Sequence, residues 1–175
     1  MGYLVAIMFT AVALVFAARR ACSRPRSGSD DAWLPADMRG APIAYAEKTF
    51  RSTRHRLVSR LDRAYRLATG YRLVEFKTRR RHVTYDSDVI ELSAQRIALA
   101  EETGQPVDER ALVVSQVGTE RQVHYVRLSP EAEVVKLMRR RQGILDGTIE
   151  PDYAARRGIC KNCEFVRECR PDQHR

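Results

Sequence analysis

Two strand-like runs joined by a short turn are the feature that most restricts how this chain can fold. Residues 56–67, RLVSRLDRAYRL, roughly alternate apolar and polar side chains, as a half-buried strand does, and residues 71–78, YRLVEFKT, have the composition of a second strand. Residues 68–70, Ala-Thr-Gly, supply a turn between them. The pattern therefore predicts a β-hairpin in which Asp62 lies opposite Phe76 to within one residue.

The elements around this hairpin complete a β-β-β-α-β-β-α order. Further strand-like runs span residues 41–50, 111–117 and 122–129. One helix is predicted between N-cap candidates at residues 86–88 and a stop at Gly104, and a second runs from Ser129 to about Leu145. The apolar stripe of the first helix is predicted to consist of Ile90, Ala94, Ile97 and Ala98. This order indicates an α/β or α+β fold with helices packed on a sheet.

The hairpin carries a group of charged residues that could perform chemistry. Glu75 and Lys77 are two residues apart on one strand, so their side chains share a face, and the predicted pairing brings Asp62 within reach. Two carboxylates can hold a hard divalent cation, which lowers the pKa of a bound water and stabilises charge on a phosphate. The lysine can orient that water and stabilise negative charge. The alternative is a surface ion pair on a solvated sheet face.

Basic residues dominate the composition and follow the hairpin directly. The chain has 31 Lys and Arg against 22 Asp and Glu, a formal charge of +9, which suits a polyanion or an anionic membrane better than an acidic protein. Arg79, Arg80 and Arg81 could grip a phosphate backbone, or they could form a solvated loop. With 44% hydrophobic and 30% charged residues, a generic disordered chain is excluded.

The N-terminus predicts a membrane anchor. Residues 2–18, GYLVAIMFTAVALVFAA, carry no charge, and these 17 residues would make a helix of roughly 25 Å, at the short end for a span across a hydrocarbon core about 30 Å thick. Arginines follow at once, at positions 19, 20, 24 and 26. By the positive-inside rule we expect a single-pass anchor in the inner (plasma) membrane with the remainder cytoplasmic. A cleaved signal peptide and a buried N-terminal helix are the alternatives.

The composition after this run changes to that of a linker. Residues 21–40, ACSRPRSGSDDAWLPADMRG, are rich in Ser, Pro, Gly and charged residues. The predicted organisation is therefore an anchor over residues 1–20, a linker over 21–40, a folded core over 41–150 and a cysteine-bearing tail over 151–175.

Cysteine usage points to a metal or cluster site. Cys160, Cys163 and Cys169 lie within ten residues, and Cys22 is alone near the N-terminus. Such clustering is more typical of a metal or iron–sulfur site than of a disulfide framework. Three thiolates need a fourth ligand for a closed site, and zinc is the alternative to iron and sulfur.

These motifs together resemble a known family. The segments that match are RLDRAYRL, with Asp62, then LVEFKTR, with Glu75 and Lys77, and CKNCEFVREC near the C-terminus. In this order they resemble the PD-(D/E)xK nuclease superfamily, specifically the RecB-like, CRISPR-associated exonucleases that carry an iron–sulfur cluster. The resemblance covers about residues 41–172 and implies a restriction-endonuclease-like core, with a mixed central sheet flanked by helices.

The resemblance also implies roles for individual residues. Asp62, Glu75 and the carbonyl of Phe76 would bind Mg²⁺ or Mn²⁺, and Lys77 would assist the attacking water. The four cysteines, Cys160, Cys163, Cys169 and Cys22, would hold a [4Fe–4S] cluster with a structural task.

The sequence departs from the family on the helix after the lysine strand and upstream of the core. The family has a Q-L-x-x-Y motif where this chain has Glu91-Leu92-Ser93-Ala94-Gln95, and it has a metal-binding His that is missing here. Glu91 and Gln95 remain polar and one turn apart, so they could touch DNA or the catalytic site, or form an ordinary solvated helix face.

The function expected from these observations is a membrane-anchored, Mg²⁺- or Mn²⁺-dependent DNA nuclease, acting on single strands or ends. One alternative is a catalytically inactive nuclease-fold protein that binds DNA or acts as a scaffold at the membrane. Another is a zinc-stabilised scaffold that recruits a partner there.

Overall fold

The computed structural model describes residues 33–152, 157–160 and 163–166. The strands are β1 (Ile43–Ser52), β2 (Leu57–Leu67), β3 (Gly70–Thr78), β4 (Arg110–Val117) and β5 (Glu120–Arg127). The helices are α1 (Asp86–Thr103), α2 (Glu131–Leu145) and the short α3 (Arg157–Cys160), and a 3₁₀ turn spans Ala36–Met38. The predicted order of strands and helices from residue 41 to residue 145 is confirmed.

The five strands form one mixed sheet in the order β1-β2-β3-β4-β5. Neighbouring strands are antiparallel except for β3 and β4, which are parallel. A parallel pair needs a crossover connection, and α1 provides it between β3 and β4. The chain therefore has a mixed α/β architecture, as expected.

Apolar side chains are buried on both faces of the central strands, which explains the unbroken apolar run Ala111–Val114 in β4. In β3 the charged residues Arg72 and Glu75 interrupt the apolar residues and are themselves buried. The cluster on the α1 face contains Phe50, Leu61, Leu73, Leu92, Leu99 and Val113, among others. The cluster on the opposite face contains Leu34, Met38, Tyr65, Val74, Leu112 and Val114.

The described part of the predicted linker, residues 33–40, belongs to the folded core. Leu34 and Met38 are four residues apart and are 2% and 0% exposed, because they cover the sheet face opposite α1. Asp37 between them pairs with Arg72, a buried side chain on β3 that also hydrogen-bonds Asp108. Residues 33–40 therefore pack on the sheet, and we call them the latch. Residues 21–32 lie outside the described residues.

The first turn of α1 differs from the predicted cap. Asp88 accepts a hydrogen bond from the backbone N–H of Tyr85 at 2.9 Å, so Tyr85 takes the N-cap position. The predicted apolar stripe is wrong in part, since Ile97 and Ala98 are buried but Ile90 is 39% exposed. The predicted stop at Gly104 is confirmed, because this residue adopts a left-handed conformation and donates its N–H to the carbonyl of Ala100.

The chain divides into two compact units after Glu131. Within the second, the C-terminal end of α2 is closed by the carbonyl of Gly143, which accepts hydrogen bonds from the backbone N–H groups of Thr148 and Ile149. Arg140 forms an ion pair with Asp152 at 2.6 Å.

A membrane-spanning helix is not found within the described ranges, since none of their helices combines the required length and apolarity. The predicted anchor over residues 1–20 lies outside those ranges and stays a prediction.

The turn between β1 and β2 is fastened to the C-terminal end of α1 by Glu101, and this predicts an acid-sensitive contact. The carboxylate accepts hydrogen bonds from the Ser52 hydroxyl, the Arg54 backbone N–H and the Thr53 hydroxyl. The Ser52 hydrogen bond is the largest cause, and together these bonds lower the pKa of Glu101 from 4.5 to about 2. The ionised form is therefore favoured by folding, so the contact stabilises the protein above pH 4.5 and is lost as pH falls towards 2.

We expect Glu101→Gln to lower the urea midpoint of the full-length chain at pH 7, with a gap to the wild type that narrows between pH 4.5 and pH 2. Glu133→Gln, at an exposed site on α2, is the control and should leave the midpoint unchanged. A gap that stays constant through this range would show that Glu101 does not titrate between the folded and unfolded states.

Candidate active site

The antiparallel strands β2 and β3 pair along only part of their length. Their ladder joins Arg63–Leu67 to Gly70–Val74, although β2 begins at Leu57 and β3 continues to Thr78. Beyond that point β2 keeps its pairing with β1, and its Leu61 packs in the cluster on the α1 face. We call the gap between the diverging strands, bordered by Asp62, Glu75, Phe76 and Lys77, the fork.

A backbone irregularity on β1 lies opposite the fork. The pairs on either side, Ala46 with Arg63 and Lys48 with Leu61, place Glu47 across from Asp62, and Glu47 has a φ of 50°. This left-handed conformation is uncommon for a residue other than glycine, and such residues cluster at functional sites.

Asp62 occupies the point at which β2 leaves β3. Its Oδ2 atom accepts a hydrogen bond of 2.8 Å from the backbone N–H of Phe76, so the carboxylate replaces a ladder partner. Extending the pair Arg63–Val74 by one residue sets Asp62 opposite Glu75. This is one residue from the predicted partner Phe76, which is the margin given in the prediction. The predicted meeting of Asp62 with β3 is confirmed.

Glu75 is the buried acid of the fork, with only 3% of the residue exposed. Its Oε1 atom lies 2.6 Å from Nζ of Lys77, and its Oε2 atom accepts a 2.9 Å hydrogen bond from Nε2 of Gln95. Burial raises the pKa of Glu75, and the nearby carboxylates of Asp62 and Glu91 add to this effect. The two hydrogen bonds oppose it by stabilising the ionised form.

Lys77 lies between two acids. Its Nζ atom is 2.6 Å from Glu75 and 2.8 Å from Glu91 on α1. Burial disfavours the ammonium, but hydrogen bonds to the two carboxylates outweigh that effect and raise the pKa of Lys77 above its usual value. The fork therefore holds a fixed positive charge beside a buried carboxylate.

The two α1 residues at the departures from the family motif both reach the fork. Glu91 has 46% of its side chain exposed and pairs with Lys77. Gln95 is 1% exposed and contacts Glu75, so the structure places it inside the site and not on a helix face open to nucleic acid.

The three arginines after Lys77 separate into two groups. The guanidinium of Arg79 donates to Asp88 and to the carbonyl of Val83, each at 2.5 Å, and covers the ring of Tyr85. This side chain holds the loop before α1, and its role as a phosphate contact stays a prediction. Arg80 and Arg81 are exposed, as a phosphate contact requires.

A polar cluster beside Lys77 was not expected from the sequence. Ser115 on β4 pairs with Lys77 in the sheet and is fully buried. Its hydroxyl lies 2.8 Å from Nδ1 of His82 and 2.9 Å from Nε2 of His124. The three residues come from a loop and two strands, so their meeting depends on strand register and leaves no spacing signal in the sequence.

The oxygen donors of the fork suit a hard cation that keeps part of its water shell. Asp62 and Glu75 supply carboxylates, and the Phe76 carbonyl points to the same strand edge as its N–H, which faces Asp62. The Oε1 atom of Gln95 is also buried and has no hydrogen-bond partner within the described residues. Those residues contain no group of three or more His, Cys, Asp or Glu side chains placed to hold a metal. Mg²⁺ commonly binds through one or two carboxylates with water and substrate phosphate, and the fork fits that pattern.

Two of the four candidate cluster ligands fall within the described residues. Cys160 and Cys163 are free, partly exposed thiols on one turn, where the N–H of Cys163 donates to the carbonyl of Cys160 at 3.3 Å. Cys22 and Cys169 lie outside the described residues, so the iron–sulfur site stays a prediction.

Comparisons with known proteins add little to these observations. The chain matches no protein-family model and no curated protein. Among solved structures it is similar to one described as "Crystal structure of SSO0001", with 16% sequence identity and a TM-score of 0.48. The similarity covers 72% of this chain and 59% of that chain, so this chain spans less than two thirds of that structure's length.

Proposed function

We propose that this chain is a Mg²⁺- or Mn²⁺-dependent deoxyribonuclease of the PD-(D/E)xK type. The observation that carries the proposal is the contact between Lys77 and the buried Glu75, 2.6 Å apart at the point where Asp62 parts the two strands. A carboxylate pair next to an ammonium group, at a break in backbone pairing, is a costly arrangement that a purely structural sheet does not need.

Each residue of the fork has a distinct role in phosphodiester hydrolysis. Asp62, Glu75 and the Phe76 carbonyl would hold the cation, which when bound polarises a phosphate and lowers the pKa of a water molecule. Lys77 places positive charge where negative charge develops on the phosphate. The hydrogen bond from Phe76 to Asp62 and the contact of Glu75 with Gln95 keep both carboxylates in place.

DNA is the proposed substrate, with single strands or ends as the sites of cleavage. The formal charge of +9 favours a polyanion, and the exposed Arg80 and Arg81 lie in the loop shortly after β3. The preference for ends rests on the resemblance to exonucleases of the RecB-like family.

We place the enzyme at the inner membrane through residues 1–20, with the nuclease core in the cytoplasm. The uncharged N-terminal run and the arginines after it support this placement.

The competing function is a catalytically inactive nuclease fold that binds DNA or acts as a scaffold at the membrane. One observation favours it: both carboxylate oxygens of Glu75 already have protein partners, Lys77 and Gln95. A cation would therefore have to share or displace one of them.

Cleavage of labelled DNA separates the two functions. The full-length chain, purified anaerobically in detergent, is expected to cut single-stranded or frayed duplex DNA with Mn²⁺ and to be inactive with a chelator. A wild-type chain that binds DNA but never cuts it, at any Mn²⁺ concentration, would establish the inactive alternative.

For the tail we propose a [4Fe–4S] cluster held by Cys160, Cys163, Cys169 and Cys22. The anaerobic protein should be brown and contain about four iron atoms per chain, and Cys163→Ser should lose both the colour and the iron. Cys22→Ser shows whether the distant cysteine is a ligand. A colourless protein with stoichiometric zinc would replace the cluster by a zinc site, and a wild-type chain with neither metal would contradict both.

A further inference from the structure

Gln95 is an unusual residue for its place on α1. It is 1% exposed, and its neighbours one turn away on either side, Leu92 and Leu99, are fully buried and apolar. A buried amide is costly unless its donors and acceptor are paired, so an apolar residue would suit simple packing at this position better.

The amide of Gln95 bridges the two strands that diverge at the fork. Its Nε2 atom donates to Oε2 of Glu75 on β3 at 2.9 Å and to the backbone carbonyl of Arg60 on β2 at 3.1 Å. Arg60 and Glu75 both lie beyond the last β2–β3 ladder pair, which is Arg63 with Val74. A single side chain from the helix therefore connects the two strands where their backbone ladder has ended.

These contacts also fix which way the amide points. Both partners of Nε2 are acceptors, so the amide must present its NH₂ group to them, and Oε1 is left as the other atom. Oε1 is buried and has no partner within the described residues. A buried acceptor next to Glu75 is suited to receive a hydrogen bond from a water molecule in the fork.

We propose that Gln95 is a positioning residue of the cation site: it holds Glu75 in one orientation, spans the fork and offers Oε1 to a water in the cation's shell. The inference rests on the proposed nuclease function and specifies how its metal site is ordered. It differs from the expectation that Gln95 touches DNA, since a buried side chain bonded to Glu75 has no surface for a nucleotide.

The test measures Mn²⁺ binding without DNA, so that it does not depend on catalysis. Full-length wild type and Gln95→Met are titrated with Mn²⁺ by calorimetry, and cleavage is then measured over ranges of Mn²⁺ and DNA. Groups that orient metal ligands typically contribute 10- to 100-fold to metal affinity, so we expect at least about a tenfold weaker Mn²⁺ affinity. The KM for DNA should stay within about twofold of the wild-type value, because Gln95 does not face the substrate.

Two further variants keep the outcome clear. Gln95→Asn retains the amide, but its side chain is one methylene too short to reach both strands. It takes the place of Gln95→Met in the Mn²⁺ titration if that variant does not fold. Ser93→Ala removes a buried hydroxyl on the same helix that bonds the carbonyl of Val89 and the N–H of Ser129, away from the fork. It should lower stability and leave Mn²⁺ affinity unchanged.

The outcomes separate the inference from the function on which it rests. If the wild type binds Mn²⁺ and cuts DNA while the Gln95 variants bind Mn²⁺ as tightly, the positioning role is overturned and the nuclease stands. A higher KM for DNA with unchanged Mn²⁺ affinity would show instead that Gln95 contacts the DNA. A folded wild type that neither binds Mn²⁺ nor cuts overturns the nuclease function and the inference with it.

Discussion

Lys77→Ala should reduce Mn²⁺-dependent cleavage by about 100- to 1,000-fold in kcat, the effect of removing one donor that stabilises transition-state charge. Nζ of Lys77 is 2.6 Å from Glu75 and 2.8 Å from Glu91, so two acids hold the ammonium at the fork. Because the carboxylates of Glu75 and Glu91 anchor it, the positive charge is in place before the substrate binds. The measurement is the initial rate of label release from single-stranded DNA at saturating Mn²⁺.

Control variants distinguish a loss of catalysis from a loss of folding. Lys136→Ala removes an exposed lysine from α2 and should cut DNA at the wild-type rate. Lys77→Arg keeps the charge but replaces a compact ammonium by a planar guanidinium, so we expect only partial recovery. The melting temperature of each variant is measured alongside, since removing Lys77 leaves the buried carboxylate of Glu75 without its cation. Wild-type cleavage by a folded Lys77→Ala protein would show that the fork is not the catalytic centre.

The β2–β3 hairpin could be predicted from the sequence because the spacing of apolar side chains is enough to identify its strands. Alternation in residues 56–67 and the turn at 68–70 indicated β2 and β3, and the hairpin geometry brought Asp62 to Phe76 within one residue. Both acids and the lysine of the candidate site lie on that hairpin, so local information was enough to bring them together.

The remainder of the site depends on contacts between distant residues. The predicted stripe on α1 followed apolar side chains, yet α1 buries Gln95 while Ile90 is 39% exposed. The reason is that Gln95 faces a buried acid on another element, and no pattern within the helix reports this. The parting of β2 from β3 is hidden for the same reason, since it depends on Asp62 replacing a backbone partner.

The latch at residues 33–40 was predicted as linker because its composition is polar and rich in turn-forming residues. It is held by the burial of Leu34 and Met38 and by an ion pair between Asp37 and Arg72, a residue on β3 that is far along the chain. A charged residue inside a buried strand is the one sign that a partner must exist, but it does not identify the partner.

Arg72→Met should destabilise the protein by about 3 kcal/mol. The side chain is 5% exposed, donates to Asp108 from Nε at 3.0 Å, and pairs with Asp37 of the latch. The hydrogen bond from Arg72 lowers the pKa of Asp37. Burial raises the pKa of Asp108, but the hydrogen bonds from the Arg110 backbone N–H and from Arg72 outweigh it and lower that pKa, so both acids are charged in the folded protein. Removing the guanidinium takes away the buried cation that Asp37 and Asp108 share, and leaves Asp108, among the described residues, only the exposed Arg110 at 3.8 Å. The expected loss is at the lower end of the range for buried pairs because Asp37 is 45% exposed and can be solvated.

Trp33 allows the latch to be followed separately from the sheet. It is the only tryptophan of the chain, and its ring packs against Phe76 with centroids 5.4 Å apart. In urea, fluorescence therefore reports release of residues 33–40, and circular dichroism reports loss of the sheet and helices.

For Arg72→Met we expect the fluorescence midpoint to fall further than the dichroism midpoint, because the latch loses its ion pair while the sheet keeps its ladders. Asp37→Asn should lower the fluorescence midpoint alone, since Arg72 then still has Asp108. Equal midpoints by both probes in Arg72→Met would mean that the latch and the sheet unfold as one unit, and an unchanged stability would show that the buried ion pair does not hold residues 33–40 in place.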